Sequence, residues 1–263
     1  MQYINAYKAS KAASAGGNKV VLMGHSTGSQ DILHYLYRPN PCTRLPAFDR
    51  SLEHVTRAAV DGAILQAPVS DRECIQWVLK TGFLGKTSDE LHDVYRELVS
   101  MAEESVRETN AESGKTFHQT LPIALTSQLG YPADTPLSAR RFLSLVSPYS
   151  PASPSEDDLF SSDLSTEHLE TTFGMISKRG ILRKSLLVLP SGADQAVPDW
   201  IDKPALLKRW RTATNGSSGR EIWDAELSGP VPKASHALSN DDQAEPRRIL
   251  NERVLGFLKK IDG

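Results

Sequence analysis

Ser26 stands in the run Gly24-His25-Ser26-Thr27-Gly28, and the chain later offers a loop aspartate, Asp194, and a loop histidine, His236. A serine hydroxyl is a weak nucleophile at neutral pH. It becomes effective beside a base, and the base in turn needs a carboxylate to fix its tautomer and stabilise the imidazolium. Serine, acid and histidine in this chain order, each on a loop after a strand, spell acyl transfer through a covalent serine ester.

The elements around Ser26 are those such a nucleophile needs. The apolar run Val20 to Met23 meets the glycine-bracketed serine, and an amphipathic stretch follows to Tyr37. Strand, sharp turn and helix put the hydroxyl at an apex, with small residues where backbones must approach closely. The helix start aims its free amides and positive dipole end at the place where an oxyanion would form. The backbone N–H of Thr27 is the candidate donor there. A second donor, from a loop after an earlier strand, has no candidate in the sequence.

The chain order filters the remaining candidates. Of seven histidines, only His236 lies in a loop beyond the last convincing core strand and before the closing helix. His25 sits inside the turn, too close to its neighbour to fold back on it, and His34, His92 and His168 fall on helical segments. For the acid, Asp194 follows the strand Leu186 to Leu189 in Pro190-Ser191-Gly192-Ala193-Asp194. Asp71 also follows a strand and precedes His236, but it reads as the N-cap of a helix. Asp199 and Asp202 read as cap or surface residues.

Strands alternate with helices along the chain, which predicts an α/β fold with a mainly parallel sheet. Helices are expected over 2–15, 27–37, 71–80, 88–109, 203–214 and 242–261, with a short one near 48–57. Strands are expected at 19–23, within 59–69, at 186–189 and at 221–227. Between about 75 and 180 the strand pattern gives way to helices and to proline- and serine-rich loops such as Ser147-Pro148-Tyr149-Ser150-Pro151. The reading is a single domain over 1–263, with 75–180 a helical and loop lid insertion.

The composition is that of an ordinary globular chain, 39% apolar and 24% charged over 263 residues with a formal net charge of −2. Neither sign dominates, which argues against nucleic acid or an acidic membrane surface as partner. No run approaches the ~18 apolar residues of a membrane span, and residues 1–17 lack the apolar core of a signal peptide. Cys42 and Cys74 form neither a metal spacing nor a disulfide framework, so the expected setting is the reducing cytoplasm. No phosphate loop, dinucleotide fingerprint or Cys/His cluster is present, so no cofactor and no metal is expected.

Three blocks carry a wider resemblance: Gly24 to Asp31; Asp61-Gly62-Ala63-Ile64-Leu65-Gln66-Ala67-Pro68-Val69-Ser70-Asp71-Arg72-Glu73; and Ala234-Ser235-His236 on to Asp241-Asp242-Gln243-Ala244-Glu245-Pro246-Arg247. Together they resemble a family of fungal α/β-hydrolases, long described as a domain of unknown function, that includes siderophore esterases cleaving fusarinine-type ester bonds. The similarity runs from about residue 2 to the C-terminus. It implies an α/β-hydrolase fold and a serine carboxylic-ester hydrolase, with Ser26 as nucleophile, Asp194 as acid and His236 as base. The implied partner is a small-molecule ester, a fusarinine-type siderophore first, and any iron would arrive bound to that substrate. Some family members have Cys where this chain has Ser29. Members also carry N-terminal strands with the second oxyanion donor, so the expectation is an N-terminally truncated version of the fold. Two further readings follow: a catalytically impaired binding protein on the same scaffold, and a lipase- or thioesterase-like hydrolase with the same triad.

Overall fold

The computed structural model describes residues 1–11, 19–43, 54–111, 119–216 and 221–263. In chain order its elements are α1 (Gln2–Lys11), β1 (Val21–His25), α2 (Thr27–Tyr37), β2 (Val60–Gln66), α3 (Asp71–Thr81), α4 (Ser88–Ala111), α5 (Ile123–Thr126), α6 (Ala139–Val146), α7 (Thr166–Thr171), α8 (Phe173–Arg179), β3 (Leu182–Leu189), α9 (Lys203–Asn215) and α10 (Ala244–Asp262). They form two compact units. One takes residues 1–69, 165–195 and 200–263, and the other 70–164 with 196–199. The long segment of the second unit thus stops at Leu164, and α7 and α8 belong with the first unit; the expected insertion spans 75–180.

The first unit is built on three parallel strands in the order β1-β2-β3. Val21 to His25 pair with Gly62 to Gln66, and Gly62 to Gln66 in turn pair with Ser185 to Leu189. All seven residues of β2 are buried, as expected of a central parallel strand covered on both faces. On one face α2 turns Leu33 and Leu36 inward against β1 and β2. On the other, α10 presses Phe257 and Ile261 onto Ile64, Leu187 and Leu189. Gly62 permits that approach, since a Cβ there would stand 3.1 Å from the side chains of both Ile261 and Phe257. The charged residue of β2, Asp61, accepts the Val20 N–H at 2.8 Å and the Lys8 ammonium at 3.0 Å, which ties α1 to the sheet.

Within the second unit, Ile75 and Leu79 of α3, Leu91 and Leu98 of α4, and Phe142 and Leu145 of α6 share one apolar cluster. Ser70, not Asp71, caps α3: its hydroxyl accepts the Glu73 N–H at 3.1 Å, and Asp71 opens the first turn. Arg72 is buried and pairs with Asp158 at 2.9 Å and with Asp163. Those bonds fasten the proline- and serine-rich stretch, which looks too polar for a core, onto α3.

Local bounds differ from expectation in instructive places. β1 lies at 21–25, so the strand runs into the glycine motif, and α1 is described to Lys11. The expected helix at 48–57 lies mostly outside the described residues. The expected strand at 221–227 is reduced to a single bridge between Trp223 and Leu186. Asp224 ends it, because its carboxylate accepts the N–H groups of Glu226 and Leu227 at 3.2 and 3.0 Å and turns the chain away.

Candidate active site

Ser26 occupies the step between β1 and α2 with φ 55° and ψ −123°, a backbone conformation few non-glycine residues adopt. Such a residue carries about 1–3 kcal/mol of strain, held in place by what surrounds it. Here the Ser26 N–H donates to Gln66 O at 3.0 Å, and Ser26 O accepts from Ser29 N at 2.9 Å. The buried Ser29 hydroxyl lies 3.0 Å from Gly24 O and 3.2 Å from Gln66 O, closing the turn onto β2. The two glycines have different parts. A Cβ on Gly24 would lie 2.1 Å from Gly28 O, so strand end and helix start meet at Gly24; a Cβ on Gly28 would meet nothing within 4 Å. The close approach read from both glycines is therefore a property of Gly24 alone. Thr27 begins α2, where the N–H has no acceptor inside the helix.

Asp194 and His236 come from two loops that run side by side. Beyond β3 the Gly192 N–H donates to Val231 O and the Ala193 N–H to Ala234 O, both at 2.9 Å. Gly192 has no room for a side chain, since a Cβ there would lie 2.7 Å from Val231 O. The Lys203 ammonium, one residue past the Asp202 cap of α9, holds Ser191 O and Gly192 O at 3.1 and 2.9 Å. On the histidine side, the buried Gln243 accepts the Ser235 N–H at 2.7 Å and donates to Lys233 O at 3.3 Å. Arg247 donates to Leu238 O at 2.7 Å.

These turns bring Ser26, Asp194 and His236 together. The Ser26 hydroxyl lies 2.9 Å from His236 Nε2, and His236 Nδ1 lies 2.9 Å from Asp194 Oδ2. The Asp194 side chain is 1% exposed and that of His236 18%. A buried carboxylate only accepts, so the proton belongs on Nδ1 and leaves the Nε2 lone pair for the serine O–H. Asp71, the other acid weighed, opens α3 in the second unit, and Asp202 caps α9.

Three residues of the site escaped the sequence reading. His25 does turn back, but toward His236: its Nε2 donates to His236 O at 3.0 Å. The Gln195 side chain accepts the His236 N–H at 3.0 Å, and Gln243 braces the residues before it. His25 and Gln195 adjoin triad residues and Gln243 lies in the third resemblance block, signals that do not disclose a role. Among the described residues no group of three or more His, Cys, Asp or Glu could hold a metal ion, and no helix is long and apolar enough to cross a membrane.

A parallel sheet flanked by helices, with a serine on the strand-to-helix turn, defines a fold of the α/β-hydrolase type. The solved structure of siderophore hydrolase EstB from Aspergillus fumigatus superposes with a TM-score of 0.83 at 57% identity, covering 99% of this chain and 72% of that one. The chain belongs to the family described as "Protein of unknown function (DUF1749)", which it matches over residues 1–259. Fusarinine C esterase sidJ of Aspergillus fumigatus is 60% identical over 262 residues, covering 99% of this chain and 72% of the relative. An esterase of Emericella nidulans is 45% identical over 271 residues, covering all of this chain and 71% of the relative.

Proposed function

We propose that this chain is a serine esterase whose substrate is a siderophore ester of the fusarinine type. The observation that carries the reading is the unbroken path from the Ser26 hydroxyl through His236 to the buried Asp194, at 2.9 Å per step. The substrate class is supported by the names of the relatives, fusarinine C esterase and siderophore hydrolase. In the first half-reaction Ser26 Oγ attacks the ester carbonyl carbon while His236 Nε2 takes the hydroxyl proton. The carbonyl π pair moves onto oxygen, and the Thr27 N–H receives that oxyanion. Asp194 stabilises the imidazolium. Collapse breaks the acyl–oxygen bond, and His236 returns the proton to the departing alkoxide, leaving an acyl-serine. Water then repeats the sequence with His236 as base, releasing the carboxylic acid and restoring Ser26.

Hydrolysis of fusarinine C by wild type and Ser26→Ala, with fluorophosphonate labelling in parallel, tests this. Wild type is expected to turn over and to label, and S26A to lose ~10⁴-fold or more in kcat and to take no label. An adduct that survives S26A sinks the nucleophile assignment. A wild type that labels at Ser26 but hydrolyses neither fusarinine C nor p-nitrophenyl acetate makes the chain a binding protein on a hydrolase scaffold. Lipase- or thioesterase-like specificity would surface as preference for long-chain acyl or thioester substrates. A cytoplasmic setting belongs to the same reading and is supported by Cys42 and Cys74, neither of which is joined in a disulfide.

A further inference from the structure

We infer that His25 and Gln195 are a pair of positioning residues that clamp the main chain of His236 from the two sides of the proposed triad. The inference rests on reading His236 as the base. His236 lies in a loop, and both of its peptide groups are engaged by side chains. Its N–H donates to Gln195 Oε1 and its carbonyl accepts from His25 Nε2, each at 3.0 Å. Gln195 directly follows Asp194, and His25 directly precedes Ser26. Each segment that presents a triad partner therefore also presents a hook for the residue between them.

Geometry makes the pair more than incidental. Hydrogen bonds at the two ring nitrogens fix where the imidazole edge lies but leave Cα free to swing about χ1 and χ2. Bonds at N–H and C=O remove that freedom, so the residue is held at four points. The arrangement requires the proton of His25 on Nε2, because a carbonyl can only accept. The ring centroids of His25 and His236 stand 5.0 Å apart with planes tilted at 48°, and it is His236 Nε2, not His25 Nε2, that meets the Ser26 hydroxyl. Both clamping residues are exposed, so their bonds contribute little to folding; what they govern is the placement of the base. A displacement of ~1 Å at a reacting group costs ~10²-fold in rate.

The test uses His25→Leu and Gln195→Met, which keep bulk and remove the donor and the acceptor, and His25→Gln, whose amide nitrogen reaches about as far as imidazole Nε2. With p-nitrophenyl acetate, H25L and Q195M are expected to lose ~10-fold or more in kcat with KM within about twofold, and H25Q to stay within about threefold of wild type. A second readout is the far-downfield proton resonance of His236 Nδ1–H. It is expected to be sharp in wild type and H25Q and broadened in H25L and Q195M, with thermal midpoints unchanged. That resonance needs no turnover: wild type and S26A hydrolysing at one rate would remove the esterase reading while the clamp is still judged by the spectrum. H25L and Q195M with wild-type kcat and a sharp resonance would overturn the clamp, as would H25Q as impaired as H25L.

Discussion

At the scale of single residues, one motif letter conceals two different physical demands. Gly24 and Gly28 both satisfy the pattern around Ser26, yet only Gly24 has backbone in the place of its missing Cβ, at 2.1 Å. Gly24→Ala must push the start of α2 off the end of β1 and re-aim Ser26, so it is expected to lose ~1–3 kcal/mol of stability together with most of the esterase activity. Gly28→Ala, inside α2 with open space at its Cβ, is expected to be neutral or to gain up to ~1 kcal/mol from helix propensity. Urea unfolding of the two variants side by side checks the contrast. Tyr131 poses the opposite case, a group that folding has left unsatisfied. Its hydroxyl is buried without a hydrogen-bond partner among the described residues, and burial pushes its pKa well up. Tyr131→Phe removes the orphan oxygen, so a gain of ~1 kcal/mol is expected; a loss of that size in the same assay would mean the hydroxyl has a partner in solution.

At the scale of elements, what could be read from the sequence was whatever is encoded within about ten residues. β1, the turn at Ser26 and α2 follow from an apolar run, two glycines and a helical period. The loop after β3 that carries Asp194 follows from Leu-Leu-Val-Leu and the proline and glycine behind it. The stretch 221–227 has the same local look, but Asp224 also meets the Lys260 ammonium of α10 at 3.1 Å, and a local pattern cannot contain that partner. The histidine loop is similar. His236 was placed by its order in the chain, whereas its bracing by Gln243 depends on side-chain reach across a turn. Gln243→Leu takes their partner from the half-buried Ser235 N–H and the exposed Lys233 C=O, which is expected to cost ~0.5–1.5 kcal/mol and to lower kcat with it. Thermal unfolding and p-nitrophenyl acetate turnover measure both. A stable variant with low kcat would show that the loop can rearrange locally, and a variant normal in both would remove Gln243 from the support of His236.

At the scale of the whole molecule, the two compact units carry buried carboxylates with opposite responses to pH. In the first, burial pushes the Asp61 carboxyl up, but the Val20 N–H, the Lys8 ammonium and the Arg183 guanidinium outweigh it and hold its pKa below the ordinary value. In the second, burial raises the pKa of Glu73 against the pull of the Ser162 N–H and hydroxyl and of Arg72. A carboxyl whose folded value is depressed binds fewer protons folded than unfolded, so its stabilisation is present above the unfolded value of ~4 and is lost as pH falls through the folded one. A raised folded value reverses the sign: stability is full below the unfolded value of ~4 and declines as pH rises through the folded one. Asp61→Asn is therefore expected to lower the melting temperature at pH 7 and to converge on wild type in strong acid. Glu73→Gln keeps an amide oxygen for the Ser162 bonds of 2.9 and 2.6 Å while removing the buried charge, so it is expected to melt higher at pH 7 and to lose that advantage near pH 4. Neither sign could be taken from the sequence, because Val20 lies 41 residues from Asp61 and Ser162 lies 89 residues from Glu73. Melting curves of wild type, D61N and E73Q from pH 3 to 8 decide the matter: difference curves of the same sign would refute the assignment of opposite shifts. Where the two units melt in separate transitions, each substitution should move only the transition of its own unit.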